Sequence, residues 1–562
     1  MGTMLRNIRW SYLVPLLLAF CFAVGTYSGG DMGELRLFSG LFLGYFLFFA
    51  VLFCVLFRWS FALTSRLSSV RLPRPAALDR VRGLLPLDWR GRSVARQAVV
   101  LQACWLPYLV GYFPGLYWYD TSWQLYQYFQ TPRAVTDHHP FLDTYLFGWF
   151  ARMGEDVWSN PMYGMFVLVV VQQVLAVVAL GCAVSYLSRA RVPWGARFAV
   201  FVFFAVFPFF PTVFSSLSKD GVSTPFFVFF CLMACEAVRS RGKVARPGLF
   251  YAVLFAVSLM TCLTKKTGVY VILPTLLAVI LLRQGVRSRI AMAVVALVLA
   301  GVMGVVVPRA VLPALHVQPG ERSELMAVPL QQLAHVARND PSGFSGEERG
   351  LMERTYRMPL GRLAKAYSYT AADPVKNYPP AKADLPAFVA MWAGQGVRHP
   401  SDYLGAWGGL SAGWFSFDAL SNSDSTLLRL FPDSSHHMEE LDPLVRWSSG
   451  TLAGEDLYRV YREAFLGLPV VGALFYKSLW ASVLPFLLVF LALRMRRGGA
   501  RAEAFAMLMP VVMTALSLYA GPTSLYNEAV RYVLPLVCVL PVVGAMMVRA
   551  VAADSGREIR NV

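Results

Sequence analysis

Asp120, Asp137, His138, His139 and Asp143 fall within one short stretch, FPGLYWYDTSWQLYQYFQTPRAVTDHHPFLDTYLFG, from Phe113 to Gly148. A carboxylate can take a proton from a hydroxyl, and an imidazole can carry one near neutral pH. Asp120 follows the aromatic run Tyr117-Trp118-Tyr119, of the kind that sits at a membrane interface. Gln124 and Gln127 come one and two helical turns later, roughly on one face. Asp137-His138-His139-Pro140 closes the stretch just before apolar sequence resumes. An acid beside lipid is costly and marks a functional site by default. Asp120, Asp137 and His139 are therefore catalytic candidates, and His138, Gln124 and Gln127 substrate-binding ones. The ordinary alternatives are that Asp120 caps a helix beginning at Thr121, and that His138 and His139 are interfacial residues.

A second constellation is basic. Lys219-Asp220, Lys265-Lys266 and Arg531-Tyr532, with Glu528 just before, each stand at the edge of an apolar block. Lysines there often only snorkel, but several cations converging would hold an anion. Residues 309–466 carry Leu330-Gln331-Gln332, His335, Arg338, Trp392, Trp407 and Trp414, which suit sugar contacts, although an ordinary small core is the first reading of any single Trp. His436-His437 beside Glu439 and Glu440 are the candidate ligands for a divalent metal ion, the one cofactor to consider, although their spacing identifies no metal site. No phosphate-binding Gly-rich loop or Gly-x-Ser-x-Gly elbow stands where it would work, so nucleotide-driven chemistry has no support.

The elements that must position these residues are membrane spans. The chain of 562 residues is 57% hydrophobic and 15% charged, with mean hydropathy +0.51. Apolar blocks lie at about 11–28, 38–57, 97–113, 163–187, 195–215, 222–238, 248–263, 268–283, 290–308, 470–493, 505–520 and 530–549, each near the length that crosses ~30 Å of hydrocarbon as a helix. A signal peptide is the lesser reading of the first. The expectation is an all-α polytopic membrane protein with about 12 transmembrane helices. Residues 1–308 form a transmembrane region with a loaded outer loop at 114–162, residues 309–466 a mainly helical extracytoplasmic domain, and residues 467–562 a C-terminal transmembrane region. The net charge of +18 is spread between the blocks rather than over one soluble face, which argues against nucleic acid and for topology and contact with anionic lipid. Basic loops at 58–96, 188–197, 239–247, 284–289 and 494–501 alternate with basic-poor ones. The positive-inside rule then puts both termini inside and every chemically loaded loop outside. The eight cysteines lie inside apolar blocks and define no disulfide framework.

An acid in the first large outer loop, followed by a His-Pro pair before the next span, resembles the GT-C superfamily of membrane glycosyltransferases. The likeness is to its protein O-mannosyltransferase and aminoarabinose-transferase branch, which carries an Asp-Glu pair and then Asp-x-His-Pro-Pro. The matching positions are Asp120 and Asp137-His138-His139-Pro140; Thr121 stands in place of the Glu, Phe141 in place of the second Pro, and two extra blocks precede the loop. FPGLYWYDTSWQ, DHHPFLDT, SLSKDG and AVPLQQLAHVAR also resemble an uncharacterised family of polytopic proteins from Gram-positive bacteria. The resemblance implies an inverting enzyme of the bacterial plasma membrane with its site on the extracytoplasmic face. It would move a sugar from a polyprenyl-phosphate-linked donor to a glycan, lipid or protein acceptor of the cell envelope, with Asp120 as general base. The donor's phosphate would meet Lys219, Lys265, Lys266 or Arg531, with Asp220, Glu528 and Tyr532 beside them. The same cations and aromatics also suit a transporter or flippase, or a polymerase or ligase, for lipid-linked glycans.

Overall fold

In a chain this apolar, helices satisfy every backbone polar group from within, and lipid satisfies none. A computed structural model of the chain describes residues 10–30, 34–66, 76–130, 133–282, 285–320, 323–417, 464, 468–525 and 527–556. Eight of its helices are long and apolar enough to cross a membrane: Leu13–Gly30, Gly40–Arg66, Pro161–Arg189, Lys219–Ser240, Pro247–Thr264, Val286–Ala314, Gly498–Tyr519 and Ala529–Ser555. Trp194–Val206, Gly268–Ile280 and Leu479–Leu493 are shorter apolar helices. The protein is an all-α, multi-pass membrane protein.

Four expected blocks are not among the eight: those at 268–283 and 470–493 give the shorter helices Gly268–Ile280 and Leu479–Leu493, and two more come out differently. The block at 97–113 lies in the helix Gly91–Gly111, which opens with Arg92 and Arg96. The block at 195–215 is broken, because Pro208 follows Phe207 and a short helix, Phe209–Phe214, restarts after it.

The helices that build the site are α1 (Tyr119–Phe129), α2 (Phe141–Trp158), α3 (Pro161–Arg189), α4 (Lys219–Ser240), α5 (Pro247–Thr264) and α6 (Gly268–Ile280). Helix α2 carries Asp143, Arg152, Glu155 and Asp156 and is not among the eight. Helix α4 is the axis of the bundle: 78% of its most apolar window is enclosed, against 22% for Gly40–Arg66 and for Val286–Ala314. It packs on α3, on α5 and on the last span. Its Phe227, Phe230 and Cys231 join Val177, Ala183, Leu254, Val537 and Val543 in the main core.

Residues 323–417 form a helical unit with a second core around Leu330, Leu333, Val336, Leu351, Met352 and Phe388, and its helix Pro400–Ser411 packs on the first span, Leu13–Gly30. Its polar and aromatic residues hold the unit together. The His335 ring stacks on Tyr367, with centroids 4.7 Å apart, and its Nδ1–H donates to the Asp402 carbonyl at 2.9 Å. Gln332 donates to the Tyr403 carbonyl at 3.2 Å and accepts from the Trp392 indole at 2.8 Å. Gln331 is buried and donates to the Ser368 carbonyl. Trp407 donates to the Tyr519 carbonyl at 2.9 Å, and Trp414 is buried. Gln331, Gln332, His335 and Trp392 thus bond within the unit, while Trp407 and Trp414 pack in the main core. His436, His437, Glu439 and Glu440 lie outside the described residues.

Backbone bonds join this unit, and the segment that leads into it, to the rest of the chain. Gln318 donates to the Val135 carbonyl at 2.9 Å and accepts from the Asp137 amide at 2.7 Å, giving a single bridge between Thr136 and Gln318. On the other side, Ala372 donates to the Pro522 carbonyl at 3.1 Å and Thr523 to the Thr370 carbonyl at 2.8 Å.

Candidate functional site

The site begins at a parallel ladder of two residues per strand. In it β1 (Leu116–Tyr117) pairs with β2 (Ser216–Leu217), Leu116 opposite Ser216 and Tyr117 opposite Leu217. Gly115, at φ 127°, turns the chain into β1, and a Cβ there would lie 2.8 Å from Val169 Cγ2. Gln172 of α3 donates to the Phe214 and Ser216 carbonyls, both at 2.9 Å, and Gln173 donates to Ser215 Oγ at 2.7 Å. Thr121 donates to the Leu217 carbonyl. The ladder thereby sets the starts of α1 and α4 side by side.

Asp120 lies in the first turn of α1, which starts at Tyr119 with Trp118 as its N-cap. It does not cap a helix beginning at Thr121; its carboxylate turns instead to other elements. Lys219 Nζ reaches Asp120 Oδ2 at 2.9 Å and Arg531 Nη2 reaches the same oxygen at 2.7 Å. His139 Nδ1 stands 3.9 Å from Oδ2 and 3.3 Å from Lys219 Nζ. Three segments far apart in sequence thus meet on one carboxylate oxygen.

From there the charges close into a ring. Asp220, next to Lys219, pairs with Lys265. Lys266, next to Lys265, pairs with Asp137 at 3.1 Å. Asp137 leads through His138 back to His139 and so to Lys219. All of these residues except Arg531 stand within a few positions of the N-termini of α1, α2, α4 and α6, where unpaired N–H groups and the helix dipole favour an anion. Arg531 comes from the 3-10 helix Asn527–Val533 and is buried, its guanidinium 5.7 Å from the Trp118 ring and 5.2 Å from the Tyr532 ring. The side chain of Glu528 lies outside the described residues.

The electrostatics follow from this packing. Burial alone would lift the Asp120 carboxyl, but Arg531 and Lys219, then His139, hold it well below the usual carboxylate range. Burial and the Lys219 charge hold His139 well below the usual imidazole range, so its ring is neutral. With Nδ1 accepting from the Lys219 ammonium, the ring proton is assigned to Nε2. Burial raises Asp137, with Lys266 partly offsetting it. Burial lowers His138, with Glu324 partly offsetting it.

Gln124 and Gln127 serve the frame. Gln124 is buried and donates to Thr144 Oγ1 at 3.0 Å, tying α1 to α2. Gln127 donates to Thr136 Oγ1 at 3.2 Å and accepts the Thr136 amide at 3.1 Å, fixing the loop that leads to Asp137. The Gln127 amide is engaged through both its atoms within the frame, while Gln124 Oε1 is buried without a hydrogen-bond partner among the described residues. Three residues that sequence reasoning missed stand at the rim. Glu324 Oε1 is 4.0 Å from His138 Nε2, and Lys376 bonds that oxygen at 2.5 Å and Asp373 Oδ1 at 2.9 Å. No motif links Glu324 to Lys376, and only the packing of the 323–417 unit brings them to His138. Among the described residues no three of His, Cys, Asp and Glu gather to hold a metal ion, and the acids of the ring are each paired with Lys or Arg.

No curated protein and no solved structure matches the chain. Residues 125–561 match a family of unknown function (DUF6020), and the chain belongs to that family.

Proposed function

We propose that the chain is an inverting membrane glycosyltransferase of GT-C type, with about 12 spans. It takes a sugar from a polyprenyl-phosphate-linked donor and transfers it to an acceptor hydroxyl of the cell envelope, on the extracytoplasmic face of the bacterial plasma membrane. The observation that carries this reading is the convergence of Lys219, Arg531 and His139 on Asp120. A carboxylate that stays ionised, a neutral imidazole and two cations at one point are what displacement of a phosphate by a hydroxyl requires. The charges gather at helix N-termini rather than along the spans, which favours an enzyme over a transport path.

In this reading the donor's phosphate sits against Lys219 and Arg531, with Lys265 and Lys266 further round the ring. Lys219 and Arg531 both reach Asp120 Oδ2, and in this reading Oδ1 meets the acceptor hydroxyl. Oδ1 takes the hydroxyl proton as the oxygen bonds to the anomeric carbon from the face opposite the phosphate. The bond to the phosphate oxygen breaks, and the cations neutralise the charge left there. Phosphate leaves readily, so one carboxylate is enough as base. The outer unit, through Glu324 and Lys376, borders the acceptor side.

The test is transfer from a polyprenyl-phosphate sugar in detergent or liposomes, with a thermal melt of each variant. Asp120→Asn keeps the size but not the basicity, so transfer falls by roughly 10²–10⁴-fold, the usual weight of a positioned proton transfer. An Asn variant that melts normally and still transfers near the wild-type rate would move the base to Asp137.

A further inference from the structure

Where the 323–417 unit meets the loop that carries Asp137 and His138, two polar side chains are held in place and left open. Glu324 lies in the 3-10 helix Ser323–Met326, which leads into the helix Ala327–Asn339. The chain before it is laid on that loop. Tyr145 donates to the Leu315 carbonyl at 2.9 Å, Gln318 bonds Val135 and Asp137, and a Cβ on Gly320 would lie 2.1 Å from the Asp137 carbonyl oxygen. From the other side Lys376 holds Glu324 Oε1 at 2.5 Å, and Asp373 holds Lys376 at 2.9 Å. Their segment is tied in turn to Pro522 and Thr523, a few residues before Arg531. Lys376 is closed in, its side chain 11% exposed, but Glu324 is 38% and His138 39% exposed. Glu324 Oε1 and His138 Nε2 stand 4.0 Å apart, too far for a direct hydrogen bond. Among the described residues Glu324 Oε2 accepts no hydrogen bond and neither ring nitrogen of His138 makes one. Burial holds the His138 imidazole below its usual range, with Glu324 partly offsetting it, so the ring is neutral and carries one donor and one acceptor.

We propose that Glu324 and His138 form the acceptor subsite, and that the acceptor held there is a neutral sugar whose ring hydroxyls are shared between the carboxylate and the imidazole. The inference rests on the glycosyl-transfer reading and names the acceptor class for it. A hydroxyl donates and accepts at once, so it matches a carboxylate that only accepts beside an imidazole that does either. Neighbouring hydroxyls on one sugar ring supply a pair of such groups to the two side chains. The charge at this rim selects against an anion. Glu324 and Asp373 share Lys376, and Lys266 is taken by Asp137, so an acidic acceptor would meet carboxylates without a free cation to offset them. The cations that suit a phosphate, Lys219 and Arg531, stand instead on Asp120. The two places are adjacent: the His138 and His139 rings lie 4.7 Å apart, and His139 Nδ1 is 3.9 Å from Asp120 Oδ2. A sugar gripped by Glu324 and His138 is thereby held one ring away from the base. Glu324 gives the site its acceptor preference, and Lys376 and Asp373 are positioning residues that fix it.

Saturation-transfer NMR on the purified full chain tests this, with inorganic phosphate at saturation so that the anion site is filled. The probes are methyl β-glucoside and methyl β-galactoside as neutral sugars, methyl β-glucuronide as an anionic one, and N-acetylserinamide as a peptide hydroxyl. The neutral glycosides should take up saturation, and the glucuronide and the serinamide far less. Glu324→Gln should weaken the neutral glycosides by roughly 10–100-fold, the weight of a hydrogen bond to a charged group. It should also narrow the gap between glucoside and glucuronide, which a merely structural Glu324 would leave as it was. Calorimetry should show wild type and the Gln variant binding phosphate alike, and their melts should agree. Phosphate binding with no saturation of the neutral glycosides, an unchanged gap in the Gln variant, or a preference for the serinamide would each overturn the proposal while leaving the donor site intact. Failure of the wild type to bind phosphate would strike the glycosyl-transfer reading itself, and the proposal with it. With a donor in hand, Glu324→Gln should raise the acceptor KM by the same factor at unchanged donor KM; an unchanged acceptor KM overturns the proposal.

Discussion

Asp120 is a carboxylate whose proton affinity is set by its neighbours rather than by its burial. Alone in that position it would be a reluctant anion; with Lys219 and Arg531 on one oxygen it stays ionised well into acid. A group with a depressed folded value stabilises the protein above its unfolded pKa, about 3.9 for Asp, and that contribution is lost as the pH falls through the folded value. In wild type the acid limb of transfer set by Asp120 therefore lies below about pH 4. Arg531→Met removes one cation and keeps much of the buried volume. The proton affinity of Asp120 then rises, and the acid limb moves to higher pH. Lys219 remains as a partner, so the cost in stability stays below the ~3–5 kcal/mol of an orphaned buried charge. A pH–rate profile of the Met variant reads the shift directly; an acid limb that stays where it was would mean that Arg531 does not govern the charge state of Asp120.

At the scale of elements, the site depends on close backbone approaches at glycine. A Cβ on Gly320 would lie 2.1 Å from the Asp137 carbonyl and 2.8 Å from the His138 amide, so Gly320→Ala must displace the loop that carries both residues. Transfer should fall in this variant while the melt changes little, because Gly320 lies in a connecting segment outside the core clusters. Between α2 and α3 the approach is tighter: a Cβ on Gly164 would lie 1.8 Å from the Phe150 carbonyl. Gly164→Ala should lower stability by about 1–3 kcal/mol, the usual cost of overpacking. Gly544→Ala, in a helix with open space around it, should be neutral or stabilising, by up to about 1 kcal/mol. Parallel thermal melts separate the two; equal melts would show the α2–α3 contact to be looser than its geometry. Sequence could foretell little of this. The apolar blocks announce helices by length, but Leu116-Tyr117 and Ser216-Leu217 are too short to read as strands. They pair only because the bundle brings them together. The bonds of Gln127 to Thr136 were not legible either, because helical spacing gives a face, not what that face meets.

Across the whole molecule the charges separate by function. Helix α4 carries Lys219 and Asp220 at one end. At the other, Glu236 holds Arg189 and Arg239, both at 2.7 Å, and Tyr186 at 3.0 Å. Arg241–Glu503 at 2.9 Å and Arg497–Asp554 at 2.7 Å extend that second cluster. The alternation of basic and basic-poor loops was legible in sequence because arginines are counted, not folded. The pairing of Asp120 with Arg531 was not, because 411 residues (531 − 120) separate them and no periodicity links them. If the basic end faces the cytoplasm, as the positive-inside rule requires, the ring and the outer unit face outward. Introduced cysteines test this in a Cys-free background. Ser342, exposed in the outer unit, and Lys243, exposed in the turn after α4, suit the purpose because each can react without disturbing packing. A membrane-impermeant thiol reagent applied to intact cells should label Ser342→Cys and leave Lys243→Cys untouched until the membrane is opened. The reverse pattern would place the ring on the cytoplasmic face, where a donor presented outside the cell could not reach Lys219 and Arg531, and the envelope-facing transfer would fall with it.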